Sequence, residues 1–131
     1  MNKVHTKQKV ILIIDDDEFL TSLYAQKFVS SGYIVEVAQD GDEGIKKVSE
    51  LNPDAVILDV LMHGKDGLDV LKELRANSET KDQLVLVLSN LDEKQKIGEC
   101  QHQNIFDYII KAHVTPDEVV ERIKDMLETE K

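Results

Sequence analysis

Short unbroken apolar runs alternate along the chain with longer stretches in which apolar residues recur every third or fourth position. The clearest runs are Val10–Ile14 and Ala55–Leu58, joined by LVLVL over 84–88. Runs of this kind, with no polar alternation, read as strands covered on both faces. Ile34, Val35, Val37 and Ala38 make a shorter strand, and 107–110 makes a fifth. Helical spacing links Phe19, Leu20, Leu23, Tyr24 and Phe28, then Ile45, Val48 and Leu51. A third helix starts around Gly67 and carries Leu68, Leu71 and Leu74 inward, with Lys72, Glu73 and Arg75 outward. The stretch 92–104 predicts the weakest helix, with Ile97 and Cys100 as its main apolar residues and Gly98 in its middle. Sparse burial there implies low local stability. Val119, Val120, Ile123 and Leu127 face the core from the last helix.

Local signals punctuate this pattern. Asp17 reads as a helix cap, Ser30, Ser31 and Gly32 as a stop, and Asn52 with Pro53 as another. Thr115, Pro116 and Glu118 form a capping box with proline at the first helical position. Five strands alternating with five helices give an α/β doubly wound parallel sheet with right-handed crossovers. A length of 131 residues is one domain's worth. The expectation is a single domain over 1–131, with a polar N-terminal tail over 1–9 and a folded core over about 10–128.

Composition narrows the class of partner. The net charge of −10 argues against direct binding of nucleic acid, which needs clustered Lys and Arg, and favours protein partners. Cys100 is the one cysteine, so it forms no internal disulfide, and it reads as a packing thiol in a reducing compartment. The apolar run behind the N-terminus is too short for a signal peptide, and no stretch reaches the roughly 18 apolar residues of a membrane span. The expectation is a soluble, cytoplasmic protein with no membrane insertion.

Candidate chemistry gathers where strands end. Asp59 ends the Ala55–Leu58 run, Asp15 and Asp16 end the first strand, Ser89 the fourth and Lys111 the fifth. In a flavodoxin-like strand order, 2-1-3-4-5, these ends surround the topological switch point and converge on one site. Carboxylates held that close need a cation, and hard oxygen donors suit Mg²⁺. Asp59 can act as a carboxylate nucleophile that becomes an acyl phosphate. Asp16 and Asp59 would hold the metal, with Asp15 acting through water. The Lys111 ammonium and the Ser89 hydroxyl can bond the phosphoryl oxygens.

The motifs IIDDD at 13–17, ILDVLMHGKDG at 57–67, LVLSN at 86–90 and YIIK at 108–111 resemble the receiver domain of bacterial two-component response regulators, the CheY-like family. The resemblance covers position 10 to about 127. It implies that Asp59 is the phospho-acceptor and that Asp15, Asp16, Asp59 and the backbone carbonyl of Leu61 bind Mg²⁺. It implies that Ser89 and Lys111 contact the phosphoryl group, and that Ser89 and Tyr108 switch on phosphorylation. That movement would remodel a face built from the fourth helix, fifth strand and fifth helix. The implied phosphodonor is a sensor histidine kinase or histidine phosphotransfer protein. The implied readers are a downstream protein target, an output domain or a phosphorylation-dependent dimer. The chain is then a signalling domain and not an enzyme, either standing alone or forming part of a longer regulator.

Two departures from the family pattern stand out. His63 follows Met62 where the family has proline, and reads as a loop residue and not a catalytic base. Ala112 follows Lys111 where the family has a proline, so either a strained cis peptide is retained or the loop to Thr115 differs. Leu61 and Leu91 flank the path of a hydrolytic water, and neither can orient it, which predicts slow self-dephosphorylation. Two other readings stay open. An aspartate-nucleophile phosphatase of the haloacid-dehalogenase kind would want an acid at Leu61. A receiver-like scaffold that takes no phosphate would be expected to have lost a site residue.

Overall fold

The computed structural model describes residues 7–129. The expected tail therefore falls partly, over 1–6, outside the described residues. Its elements are β1 (Val10–Ile14), α1 (Glu18–Ser30), β2 (Ile34–Ala38), α2 (Gly41–Leu51), β3 (Ala55–Leu58), α3 (Gly67–Ala76), β4 (Val85–Ser89), α4 (Lys94–Gln101), β5 (Asp107–Ile110) and α5 (Pro116–Thr129), with one 3-10 turn over Lys111–His113. The five strands are all parallel and ordered β2-β1-β3-β4-β5, the expected flavodoxin-like arrangement.

Alternation along the central strands divides the core in two. Leu12, Ile14, Val56, Leu58, Val85 and Val87 pack on one face with Val48, Leu71, Leu74 and Cys100 of α2, α3 and α4. Ile11, Ile13, Ile57, Leu86 and Leu88 pack on the other with Tyr24, Phe28, Ile123 and Met126 of α1 and α5. Central parallel strands covered on both faces explain why their runs are apolar throughout.

Several elements differ in detail from their sequence pattern. In α1 the structure buries Tyr24 and Phe28 but leaves Phe19 72% and Leu23 37% exposed. Asp17 does cap α1, its carboxylate accepting from the Leu20 amide. In α5 Val119 and Ile123 are fully buried as expected, Met126 joins them, and Val120 and Leu127 are only half-buried. The Thr115–Glu118 capping box forms in both directions. Arg75 does not simply point outward. Its guanidinium donates to the carbonyls of Gln103, Lys81, Gln83 and Asn104 at 2.7–3.1 Å, tying α3 to two loops.

The weak fourth helix is shorter than its pattern. Glu93 at its N-cap makes no side-chain capping bond, and Asn104 turns left-handed (φ 58°) after it. Cys100 is its buried anchor, and burial pushes that thiol up to about 11. Fully buried, the native thiol is expected to react with an alkylating reagent only when α4 opens, and so more slowly than in the unfolded chain. Gly98 has open space around its missing Cβ, so Gly98→Ala should stiffen α4 by about 0.5–1 kcal/mol and slow the reaction further. Equal labelling rates for the native and unfolded chains would contradict this account.

Candidate functional site

Parallel register sets which side chains meet. Ile14 pairs with Leu58, so Asp15 and Asp59 leave β1 and β3 side by side. Their amides continue the ladder: Asp15 N–H donates to the Ala38 carbonyl and Asp59 N–H to the Ile14 carbonyl, each at 3.0 Å. Ser89 pairs with Ile110, which brings Ser89 and Lys111 to the same end of the sheet.

Lys111 reaches from the end of β5 into the acidic group. Its Nζ donates to Asp15 Oδ2 at 2.6 Å and to Asp59 Oδ2 at 3.0 Å. The side chains of Lys111, Asp15 and Asp59 are only 8%, 5% and 7% exposed. Burial holds the Asp15 carboxyl above its ordinary value, despite the bonds from Lys111 and the Asp17 amide. Burial alone would lower the Lys111 ammonium, but the two carboxylates outweigh it and hold it above its ordinary value. Two buried acids thus share one cation, leaving the cluster short of positive charge.

Asp15, Asp16 and Asp59 each offer an oxygen within 4.8 Å of the others. All the donors are hard carboxylates and one cation is missing from the charge balance, a set that fits a divalent ion such as Mg²⁺. Asp16 is bound differently from its neighbours. The His63 amide lies 3.1 Å and the His63 ring Nδ1 2.9 Å from Asp16 Oδ2. Burial would raise the Asp16 carboxyl, but the His63 amide and ring outweigh it and hold it below its ordinary value.

The remaining expected residues surround this cluster. Ser89 is fully buried, and its Oγ accepts from the Leu91 amide at 3.3 Å. The Tyr108 hydroxyl donates to the Leu91 carbonyl at 2.7 Å, and burial pushes that phenol up to about 12. Leu61 donates its amide to Asp59 Oδ1 at 3.1 Å while its side chain stands half in solvent. A groove of about 540 Å³ opens beside the cluster, lined by Asp16, Leu61, Met62, His63, Leu91 and Lys96. The loop after Lys111 differs from the family pattern as one of the two expectations allowed. Peptide bonds among the described residues are trans, the chain makes a 3-10 turn, and the Ala112 amide donates to Asn90 Oδ1 at 2.9 Å.

Two neighbours of the site escaped sequence reasoning. One is His63, read as a plain loop residue, whose contact with Asp16 spans 47 positions. The other is Gly67, where a Cβ would lie 2.5 Å from the Asp59 carbonyl oxygen and 2.7 Å from Val60 Cα. The Asp66-Gly67 pair at a helix start was its available signal.

Residues 11–124 match the family model of the response regulator receiver domain. The chain belongs to that family. As a receiver it is 32% identical over 122 residues to the transcriptional regulatory protein ResD of Bacillus subtilis, covering 93% of this chain and 49% of ResD. It is 34% identical over 119 residues to the alkaline phosphatase synthesis transcriptional regulatory protein PhoP of the same species, covering 91% of this chain and 48% of PhoP. The receiver thus spans about half the length of these curated relatives. Among solved structures, a putative response regulator from Chloroflexus aurantiacus superposes with a TM-score of 0.84 at 30% identity, covering 93% of this chain and 99% of that one. A CheY-like receiver domain protein from Methanospirillum hungatei shares the fold, with a TM-score of 0.87 at 23% identity over 94% and 96% of the two chains. The receiver is a signalling domain with an acidic pocket suited to a metal. None of its described helices is long and apolar enough to cross a membrane.

Proposed function

We propose that the receiver accepts a phosphoryl group on Asp59 from a phosphohistidine of a sensor histidine kinase or histidine phosphotransfer protein. The observation that carries this reading is the buried Lys111 ammonium bonded to both Asp15 and Asp59. It marks where excess negative charge is gathered and where a phosphoryl group would find a cation. An Asp59 carboxylate oxygen attacks phosphorus, the O–P bond forms, and the donor's N–P bond breaks, its electron pair returning to the imidazole. Lys111 pairs with a phosphoryl oxygen, and Ser89 donates its hydroxyl to another. Asp15, Asp16, Asp59 and the Leu61 carbonyl would hold Mg²⁺. When bound, that ion offsets the charge gathering on the transferred group.

Output would run through Ser89 and Tyr108 to the face made by α4, β5 and α5. The short, thinly anchored α4 supports its role as the movable part. Readers of that face would be a protein target, an attached output domain or a second phosphorylated copy, in the cytoplasm and without direct contact to nucleic acid. Residues 1–131 would act as one receiver unit, alone or within a longer regulator.

Incubation with acetyl phosphate and Mg²⁺ should add the mass of one phosphoryl group to the wild-type chain and none to Asp59→Ala. No gain under conditions of demonstrated Mg²⁺ binding would favour a scaffold that works without phosphate. Because Leu61 and Leu91 cannot orient a water, the adduct should be long-lived. Leu61→Asn and Leu91→Glu are each expected to shorten its half-life about 10-fold, less than a full general base supplies. An unchanged half-life in both variants would contradict that explanation.

A further inference from the structure

Two donors of one residue converge on one oxygen of the acidic pair. The His63 amide and ring Nδ1 lie 3.1 Å and 2.9 Å from Asp16 Oδ2. Lys111 holds Asp15 and Asp59, and the carboxylate of Asp16 is held instead by His63. Asp16 follows β1 and His63 follows β3, so the contact fastens together the two loops that carry all three carboxylates.

We propose that His63 is a positioning residue for the metal site, its amide and imidazole together holding the Asp16 carboxylate in the orientation that serves a divalent cation. The inference rests on the Mg²⁺ reading above. A bond from outside the coordination shell fixes the rotamer of a ligating carboxylate before the ion arrives, and losing such a partner weakens metal binding. A carboxylate oxygen only accepts, so the ring meets it as a donor through Nδ1–H. The His63 side chain is fully exposed and covers no core, so its removal is not a packing change. The two donors are separable. Alanine keeps the amide and loses the ring, proline loses both, and asparagine keeps the amide and places a side-chain N–H near the Nδ1 position.

The test is calorimetric titration of the unphosphorylated full chain with Mg²⁺ at one fixed pH, with thermal unfolding of each variant recorded in the absence of metal. The dissociation constant is expected to rise about 3-fold in His63→Ala and about 10-fold in His63→Pro, at the low end for outer-shell partners because the ring stands in solvent. His63→Asn should bind nearly as wild type, and unfolding of the alanine and asparagine variants should not shift. If the proline variant does not fold, the alanine and asparagine pair carries the test. Binding by His63→Ala as tight as wild type, or tighter, overturns the inference and leaves the phospho-acceptor reading intact. Weakening that asparagine does not restore overturns the part assigned to the imidazole. A wild-type chain that takes up no Mg²⁺ overturns the metal reading itself, and this inference with it.

Discussion

Gly67→Ala is expected to slow phosphorylation from acetyl phosphate about 100-fold, the loss that follows from displacing a reacting group by about 1 Å. The added Cβ would stand 2.5 Å from the Asp59 carbonyl oxygen, 2.7 Å from Val60 Cα and 3.0 Å from the Asp59 carbonyl carbon. All three atoms are backbone, so no side chain can turn aside, and relief requires moving either α3 or the end of β3. The helix resists, because the Gly67 amide donates to the Val60 carbonyl at 3.0 Å and Asp66 and Asp69 form a capping box across the first turn. The strand end that yields is the one that carries Asp59. The same overpacking should cost about 3 kcal/mol of stability, the upper end of the usual range. Phosphorylation rate and urea unfolding, measured on the same variant, check both parts. Gly98→Ala, with open space around the added atom, is the matched control and should lower neither. Wild-type kinetics in Gly67→Ala would show that the close approach at β3 does not set the position of the acceptor.

Lys111→Met is expected to cost about 3–5 kcal/mol of stability at neutral pH without metal, the penalty for leaving a buried charge unpaired. Asp15 and Asp59 would then face each other behind a methionine, each only 5–7% exposed at the side chain. The pH dependence has a definite sign. The Asp15 carboxyl is already held above its ordinary value by burial, so the folded chain keeps that proton to higher pH than the unfolded chain does. Stability from this group therefore falls as pH rises through the carboxylate range. Removing Lys111 pushes the carboxyl further in the same direction, so the deficit should be largest at neutral pH and shrink on acidification. Mg²⁺ should recover part of it by binding the folded state alone. Urea unfolding across pH, with and without Mg²⁺, measures this. A deficit that grows on acidification would contradict the account, and so would one that is absent at neutral pH.

What the sequence made legible follows the physics of each feature. Parallel central strands must be apolar on both faces, so β1, β3 and β4 appear as unbroken runs, and the candidate site lies at or just beyond their C-terminal ends. Asp15, Asp59, Ser89 and Lys111 could be placed together because a parallel sheet brings its strand ends to one edge. Residues whose meaning depends on a distant contact gave no such signal. His63 acquires its role only through a neighbour 47 positions away, and Arg75 only through carbonyls on two loops. The exposure of Phe19 and Leu23 was hidden because helical spacing says that a face exists without saying that the sheet reaches all of it. The length of α4 was overstated at both ends, where polar residues mark no boundary: Glu93 makes no side-chain capping bond, and the helix ends at Gln101, before Asn104 turns left-handed.

The most direct test of the central claim is to locate the phosphoryl linkage. Borohydride reduces an acyl phosphate to the alcohol, converting a phosphorylated aspartate to homoserine, which peptide mass spectrometry then places in the sequence. After incubation with acetyl phosphate and Mg²⁺, homoserine is expected at position 59 and absent when Mg²⁺ is withheld. Homoserine at Asp15 or Asp16, or a phosphorylated chain that yields none at position 59, would contradict the assignment of Asp59 as the acceptor.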